Sequence, residues 1–260
     1  MKQMRIYPKV AGDMFFAQLT WTFWFLGVML LIHIVKIVMA IIQGGDIDSF
    51  YNAMFVAVPI YMLIIGLISL YFLPHYVEHG VTRKDYFKGA LIAFGGLAAV
   101  IPFITYMITL VERVILNTMT SIPIKEPDLN AIILEIDSHV VGDIVQAVVL
   151  TPYVDPQSHW VLSIAVFSLN SFVYYLLGWL ISTSFYRFST VPGIVSIFIA
   201  LVILMLVDTL LRVSLDLPVL NTLSGLNVLP LAVTLLAILL LISLTLWSVR
   251  SLTKRVRIKM

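Results

Sequence analysis

The sequence predicts an all-α polytopic membrane protein with six transmembrane helices, an N-terminal interfacial helix and an extracellular amphipathic helix between spans three and four. Two observations carry that prediction. Of the 260 residues, 61% are hydrophobic and only 12% charged, whereas soluble domains hold about 45–50% apolar and about 25% charged residues. Six apolar windows also reach the roughly 20 residues that a helix needs to cross the hydrocarbon core. They run from Trp21 to Ile42, Tyr51 to Leu73, Tyr86 to Val111, Trp160 to Thr183, Val191 to Arg212 and Val228 to Val249. The runs are continuous and lack period-two alternation, which argues against strands. One membrane domain over residues 1–260 accounts for the whole chain, with no internal repeat.

The N-terminal stretch from Tyr7 to Gln18 mixes Pro8, Lys9, Gly12 and Asp13 with Phe15 and Phe16, and Trp21 and Trp24 follow. Such a mixture suits an interfacial helix that turns into the first span. That span is too long for a signal-peptide core and is expected to be retained. His33 and Lys36 lie three residues apart in its outer half, hence on one helical face. Ionisable residues inside a span are candidate polar sites. Lys36 is near enough to the outer end to snorkel to the interface or to pair with an outer acid.

Orientation follows from Lys and Arg. With both termini cytoplasmic, the inner segments hold Lys2, Arg5, Lys9, Arg83, Lys84, Lys88, Arg187, Arg250, Lys254, Arg255, Arg257 and Lys259, and the outer loops only Arg113 and Lys125. The outer side collects acids, among them Asp46, Asp48, Glu112, Glu126, Asp128, Glu135, Asp137, Asp143, Asp155 and Asp216. The polar run Glu78–Gly89 between spans two and three is therefore a cytoplasmic bend. Gly80 permits a turn, and Thr82 can cap the next helix with Asp85 at its third position. Tyr86 and Phe87 then anchor that helix in the membrane.

The third span is rich in small residues. Gly95 and Ala99 make a small-xxx-small step, while Gly89, Ala93 and Gly96 share a face. Such faces let helices approach closely, within the chain or across a dimer seam. Pro102 is expected to kink the span. Between Glu112 and His159, Ile133, Ile136, Val140, Ile144 and Val148 recur at helical spacing opposite Glu135, Ser138, His139, Gly142, Asp143 and Gln146. This amphipathic helix is expected against the outer surface or capping the bundle. In the fifth span Asp208 and Arg212 sit at i, i+4 with the acid first, the favourable order for an ion pair at the outer rim.

Several chemistries have no motif. There is no G-x-x-x-x-G-K-[ST] phosphate loop, no H-E-x-x-H helix and no Gly-x-Ser-x-Gly elbow. Cysteine is absent, which excludes disulfides and thiolate metal sites, and a net charge of +2 is too small to suggest nucleic acid. His75 and His79 flank Glu78 at i, i+4, but in a loop rich in Arg and Lys they make a poor metal pair. No catalytic pair points to an enzyme. A proton-coupled carrier would want several buried acids along a path, and the spans offer no such series.

The run Glu78-x-Gly80-Val81-Thr82-Arg83-x-x-Tyr86-Phe87-x-Gly89 resembles the E-x-G-[VI]-[ST]-R-x-x-[FY]-[FL]-x-[GA] stretch of bacterial ABC transporter permeases of the type-2 exporter branch. In that family it lies in the first cytoplasmic loop, as here, and the six-span layout is similar throughout. The chain departs from better-known members in placing its large outer region between spans three and four rather than five and six. The resemblance implies the permease subunit of an ATP-driven exporter in the bacterial plasma membrane. Its partners would be an ABC ATPase subunit, which holds ATP and Mg, and a second permease subunit. Glu78, Gly80, Thr82, Arg83, Lys84, Tyr86 and Phe87 would couple to the ATPase, with Phe185 and Arg187 of the second cytoplasmic loop as a further contact. An apolar lining suits a hydrophobic or amphipathic cargo such as a peptide, drug or lipid. The competing class is a non-transporting immunity or sensor protein that binds a cationic peptide at its outer acidic region.

Overall fold

Without water to bond to, every backbone amide in a membrane must be paired within the protein, so each apolar run folds as a helix. The computed structural model describes residues 6–43, 45, 48–119, 140–149, 151–188, 190–219 and 221–254. Among them run α1 (Tyr7–Gln43), α2 (Phe50–Ile68), a 3-10 turn (Ser69–Tyr71), α3 (Phe72–Glu78), α4 (Arg83–Met119), α5 (Val140–Val149), α6 (Trp160–Arg187), α7 (Thr190–Ser214), a 3-10 segment (Asn221–Val228) and α8 (Leu231–Lys254). No strand occurs among the described residues. Six helices are long and apolar enough to cross a membrane, with α2 and α3 counted together, so this is a multi-pass membrane protein. The expected residues Ile133, Glu135, Ile136, Ser138 and His139 lie outside the described residues, as do Lys2, Arg5, Asp46, Lys125, Glu126, Asp128, Asp137, Arg255, Arg257 and Lys259.

The boundaries differ from the sequence windows for local reasons. The interfacial stretch and the first span are one uninterrupted helix of 37 residues, about 55 Å long at 1.5 Å per residue against a hydrocarbon core of about 30 Å. The second span tightens into a 3-10 turn at Ser69 and restarts as α3. Pro74, which has no amide to donate, thereby falls in a first turn, where none is needed. The sixth span starts at Leu231 rather than Val228, because Pro230 opens the helix with its carbonyl accepting from the amides of Val233 and Thr234.

Helix α6 is the hub, packing against α2, α4, α7 and α8. From Val173 to Leu180 every residue is buried, on all faces of the helix. Contact with α2 is closest where Gly66 meets Gly178. A Cβ on Gly66 would collide with the carbonyl oxygen of Tyr175 and stand 3.1 Å from the Cα of Gly178. A Cβ on Gly178 would collide with the carbonyl of Leu63. Two backbones thus touch without intervening side chains, the packing that small residues permit in lipid. On the α4 side, Tyr175 lies over Phe94 with ring centroids 3.7 Å apart, and Trp179 stacks on Phe87 at 5.2 Å.

The small residues of α4 divide between two directions. Gly89 accommodates Val10 of α1, whose Cγ1 would lie 2.7 Å from an added Cβ, and Gly96 accommodates Phe15. These positions serve packing within the chain. Gly95 meets nothing within 4 Å and Ala99 is exposed. Substitution should separate these roles. Gly178→Val is expected to force α2 and α6 apart and abolish a monodisperse, thermally cooperative protein in detergent. Gly27→Ala in α1, where an added Cβ meets nothing within 4 Å, should leave the melting temperature unchanged or slightly raised.

Candidate functional site

The end of the bundle where α3 meets α4 carries Lys9, Arg83, Lys84, Lys88, Arg187, Arg250 and Lys254, and is called the basic end. Its bend is built from two standard helix terminations. Helix α3 closes in a Schellman arrangement, with the Val81 amide on the carbonyl of Tyr76 at 2.9 Å and the Gly80 amide on Val77 at 3.0 Å. Gly80 holds φ +79°, a conformation that side chains with a Cβ rarely adopt. Helix α4 opens on Thr82, whose Oγ1 accepts from the amide of Asp85 at 3.1 Å and donates to the Asp85 carboxylate at 2.8 Å. The reciprocal pair follows the capping-box logic, except that the acid meets the Thr hydroxyl instead of its backbone amide. Tyr86 is fully buried and donates to the carbonyl of Ser69 at 2.8 Å.

Arginines from both loops converge on the last described turn of α8. Arg83 donates to the carbonyl of Lys254 at 3.0 Å, and Arg187 to Ser251 at 2.9 Å and Leu252 at 3.4 Å. Arg250 returns the contact, donating to the Arg83 carbonyl at 3.1 Å while its guanidinium lies 5.2 Å from the Phe87 ring centre. Each guanidinium gives these carbonyls a charge-assisted hydrogen bond, stronger than one between neutral groups. Arg83 and Arg187 thus turn inward, whereas Glu78, Gly80, Thr82, Lys84 and Phe185 are exposed. Beside them a cleft of about 410 Å³ lies between Leu67, Leu70, Tyr71 and Pro74 on one wall and Ser182, Phe185 and Tyr186 on the other. The ring of His79 bonds through Nδ1 to the carbonyl of His75 at 2.7 Å.

The opposite, acidic end holds two polar groupings. In the first, Glu112 of α4 joins three helices. Its Oε1 lies 2.5 Å from Nε2 of His33 on α1, and its Oε2 accepts from the Phe50 amide at 2.9 Å, at the start of α2. Both side chains are nearly covered. Sequence reading missed Glu112 because it stood as the first acid of the outer loop. The available signal was its alignment with Thr105 and Thr109 at i+7 and i+3, both buried. Lys36 is exposed on α1 and does not join the pair.

The second grouping is the ion pair Arg212 Nε to Asp208 Oδ2 at 2.7 Å. The pair forms as the spacing predicts, in the last two turns of α7, and both side chains are buried. From Val207 to Arg212 all six residues of α7 are buried. The cover comes from α6, α5 and the 3-10 segment, all of which pack on α7. Helix α5 caps the bundle and also enters it. Tyr174, about 21 Å along α6 from Trp160 by helical rise, donates to the carbonyls of Ala147 and Val148 at 3.1 and 2.8 Å. Such non-spanning backbone at membrane depth is tolerated only where protein surrounds it, and Ala147 is fully buried. Asp208 Oδ1 has no hydrogen-bond partner among the described residues.

Among the described residues no group of three metal-ligating side chains occurs. Compared with known protein families, curated proteins and solved structures, the chain matches none.

Removing one partner of a buried pair leaves an uncompensated charge, whereas removing both does not. Arg212→Met should therefore destabilise the protein by about 3–5 kcal/mol, and Arg212→Met with Asp208→Leu should recover most of that loss. Thermal unfolding in micelles measures both variants.

Proposed function

We propose that the chain is the membrane-spanning permease subunit of an ATP-driven exporter of the ABC type-2 branch, working with a second permease subunit. Both termini and the Glu78–Gly89 bend are assigned to the cytoplasm of a bacterial cell on the distribution of Lys and Arg. With no phosphate loop in the sequence, ATP and Mg are assigned to a separate ATPase subunit.

The observation that carries this reading is that one helix, α4, begins at the bend and reaches Glu112 at the far end. Thirty residues separate Thr82 from Glu112, about 45 Å of helix. At its start the helix is capped, and it is tied to α8 by Arg83 and Arg250. At Glu112 it holds His33 of α1 and the first amide of α2. A push on the bend is therefore delivered to the opposite face of the membrane as a shift of α4 against α1 and α2. Arg187 ties the second loop to α8, so the two loops move together. A partner would grip what is left outward: Glu78, Lys84, Phe185 and the cleft beside Phe185.

Purification of the chain from its native membranes in mild detergent should bring down a phosphate-loop ATPase identifiable by mass spectrometry. Lys84→Glu with Glu78→Lys, both exposed positions, should reduce that recovery and the ATP hydrolysis of the reconstituted complex by about tenfold without changing the melting temperature, as loss of a few exposed contacts would. Undiminished recovery and hydrolysis would overturn the proposal.

A further inference from the structure

Near Glu112, α1 and α4 diverge and leave a groove of about 970 Å³, at the upper end of the 300–1,000 Å³ typical of ligand sites. Its walls are apolar: Leu30, Ile34 and Ile37 on α1 face Met107, Ile108 and Val111 on α4. The groove follows α1 from Leu30 to Ile41, a length of about 16 Å. Among the described residues its charge-bearing lining residues are His33 and Glu112; neither Lys36 nor Arg113 lines it.

We propose that this groove binds a cationic amphiphile, with the alkyl chain between α1 and α4 and the ammonium nitrogen on the Glu112 carboxylate. An ionised carboxylate offers about four acceptor positions. Protein donors occupy one on each oxygen, from His33 Nε2 and the Phe50 amide. Glu112 lines the groove, and apart from His33 none of its described lining side chains carries a hydrogen-bond donor. A carboxylate bordering hydrocarbon is costly without a counter-charge, and an ammonium group at the end of an alkyl chain supplies one at the right place. An anionic head would be repelled. A neutral head would add no charge-assisted bond to the carboxylate. The site stands on the groove alone; only its assignment as the place that admits cargo rests on the exporter reading.

The chain has no cysteine, so Val111→Cys can carry a trifluoromethyl probe without background. The full chain in phosphatidylcholine nanodiscs is titrated with dodecylamine, dodecanol and dodecanoate, and binding is read from the fluorine NMR shift. Dodecylamine should bind about tenfold more tightly than the other two, the factor that one charge-assisted contact of modest strength supplies. Glu112→Gln should bring the three to equal affinity. Since that variant also weakens the start of α2, Ile37→Trp provides a second arm: it fills the groove from a half-buried position on its wall and should abolish the shift with all three. Equal binding of the three to the unmodified groove would identify it as a seat for ordinary lipid chains and overturn the proposal. So would an amine preference that survives either substitution, or no shift with dodecylamine. Recovery of the ATPase partner is unaffected by these outcomes, so the two proposals fail separately.

Discussion

The contact between Gly66 and Gly178 sets the geometry on which the remaining packing depends. In lipid no hydrophobic force drives two helices together, and van der Waals contact is the main attraction left. Backbone against backbone gives the closest approach that helices can make. Because α2 and α6 are locked at this point, the rest of α6 is free to present large side chains in other directions. Trp179 and Tyr175 then pack on Phe87 and Phe94 of α4, and Tyr174 faces α5. From Val173 to Leu180 this hub helix keeps no side for lipid. Here α1 and α8 take the lipid-facing role, and both are mostly exposed.

Much of the architecture was legible because membrane helices are dictated by local composition. The six spans, the cap at Thr82, the turn at Gly80 and the Asp208–Arg212 pair all depend on residues within a few positions of each other. What was not legible depends on distant partners. Glu112 reads as a loop acid until α4 is seen to run on to Met119, and its partner His33 is 79 residues away. The burial of Asp208 and Arg212 accompanies the packing of α5, α6, α8 and the 3-10 segment on α7, which no spacing within α7 foretells. Arg83 and Arg187 are placed on the cytoplasmic side by the positive-inside pattern and expected, from the resemblance, to meet an ATPase partner, whereas both bond to backbone carbonyls of α8. The positive-inside pattern gives the side of the membrane but is silent on whether a charge faces water or a backbone carbonyl.

The two ends of the molecule differ in how they use charge. At the basic end arginines meet backbone carbonyl groups and not acids. At the acidic end the carboxylates of Glu112 and Asp208 meet one cation, one imidazole and one backbone amide, all in nearly dry surroundings. Interactions of the first kind are open to water and weakened by it; those of the second kind are strong and costly to break. The far end of α4 is thus the firmer anchor, and its start is the softer one. A helix held in this way moves most where it is held least, at the bend.

The arginine clasp on α8 also bears on how the protein is made. Arg83 and Arg187 leave the ribosome long before Ser251, Leu252 and Lys254, the residues whose carbonyls they bind. Until the sixth span has been inserted, both guanidinium groups and the underside of Phe87 lack their eventual neighbour. The basic end therefore takes its finished shape in a single late event, when the last helix arrives. A chain interrupted before α8 would display unclasped loops, and the cell's quality-control machinery would meet a surface that the complete protein hides.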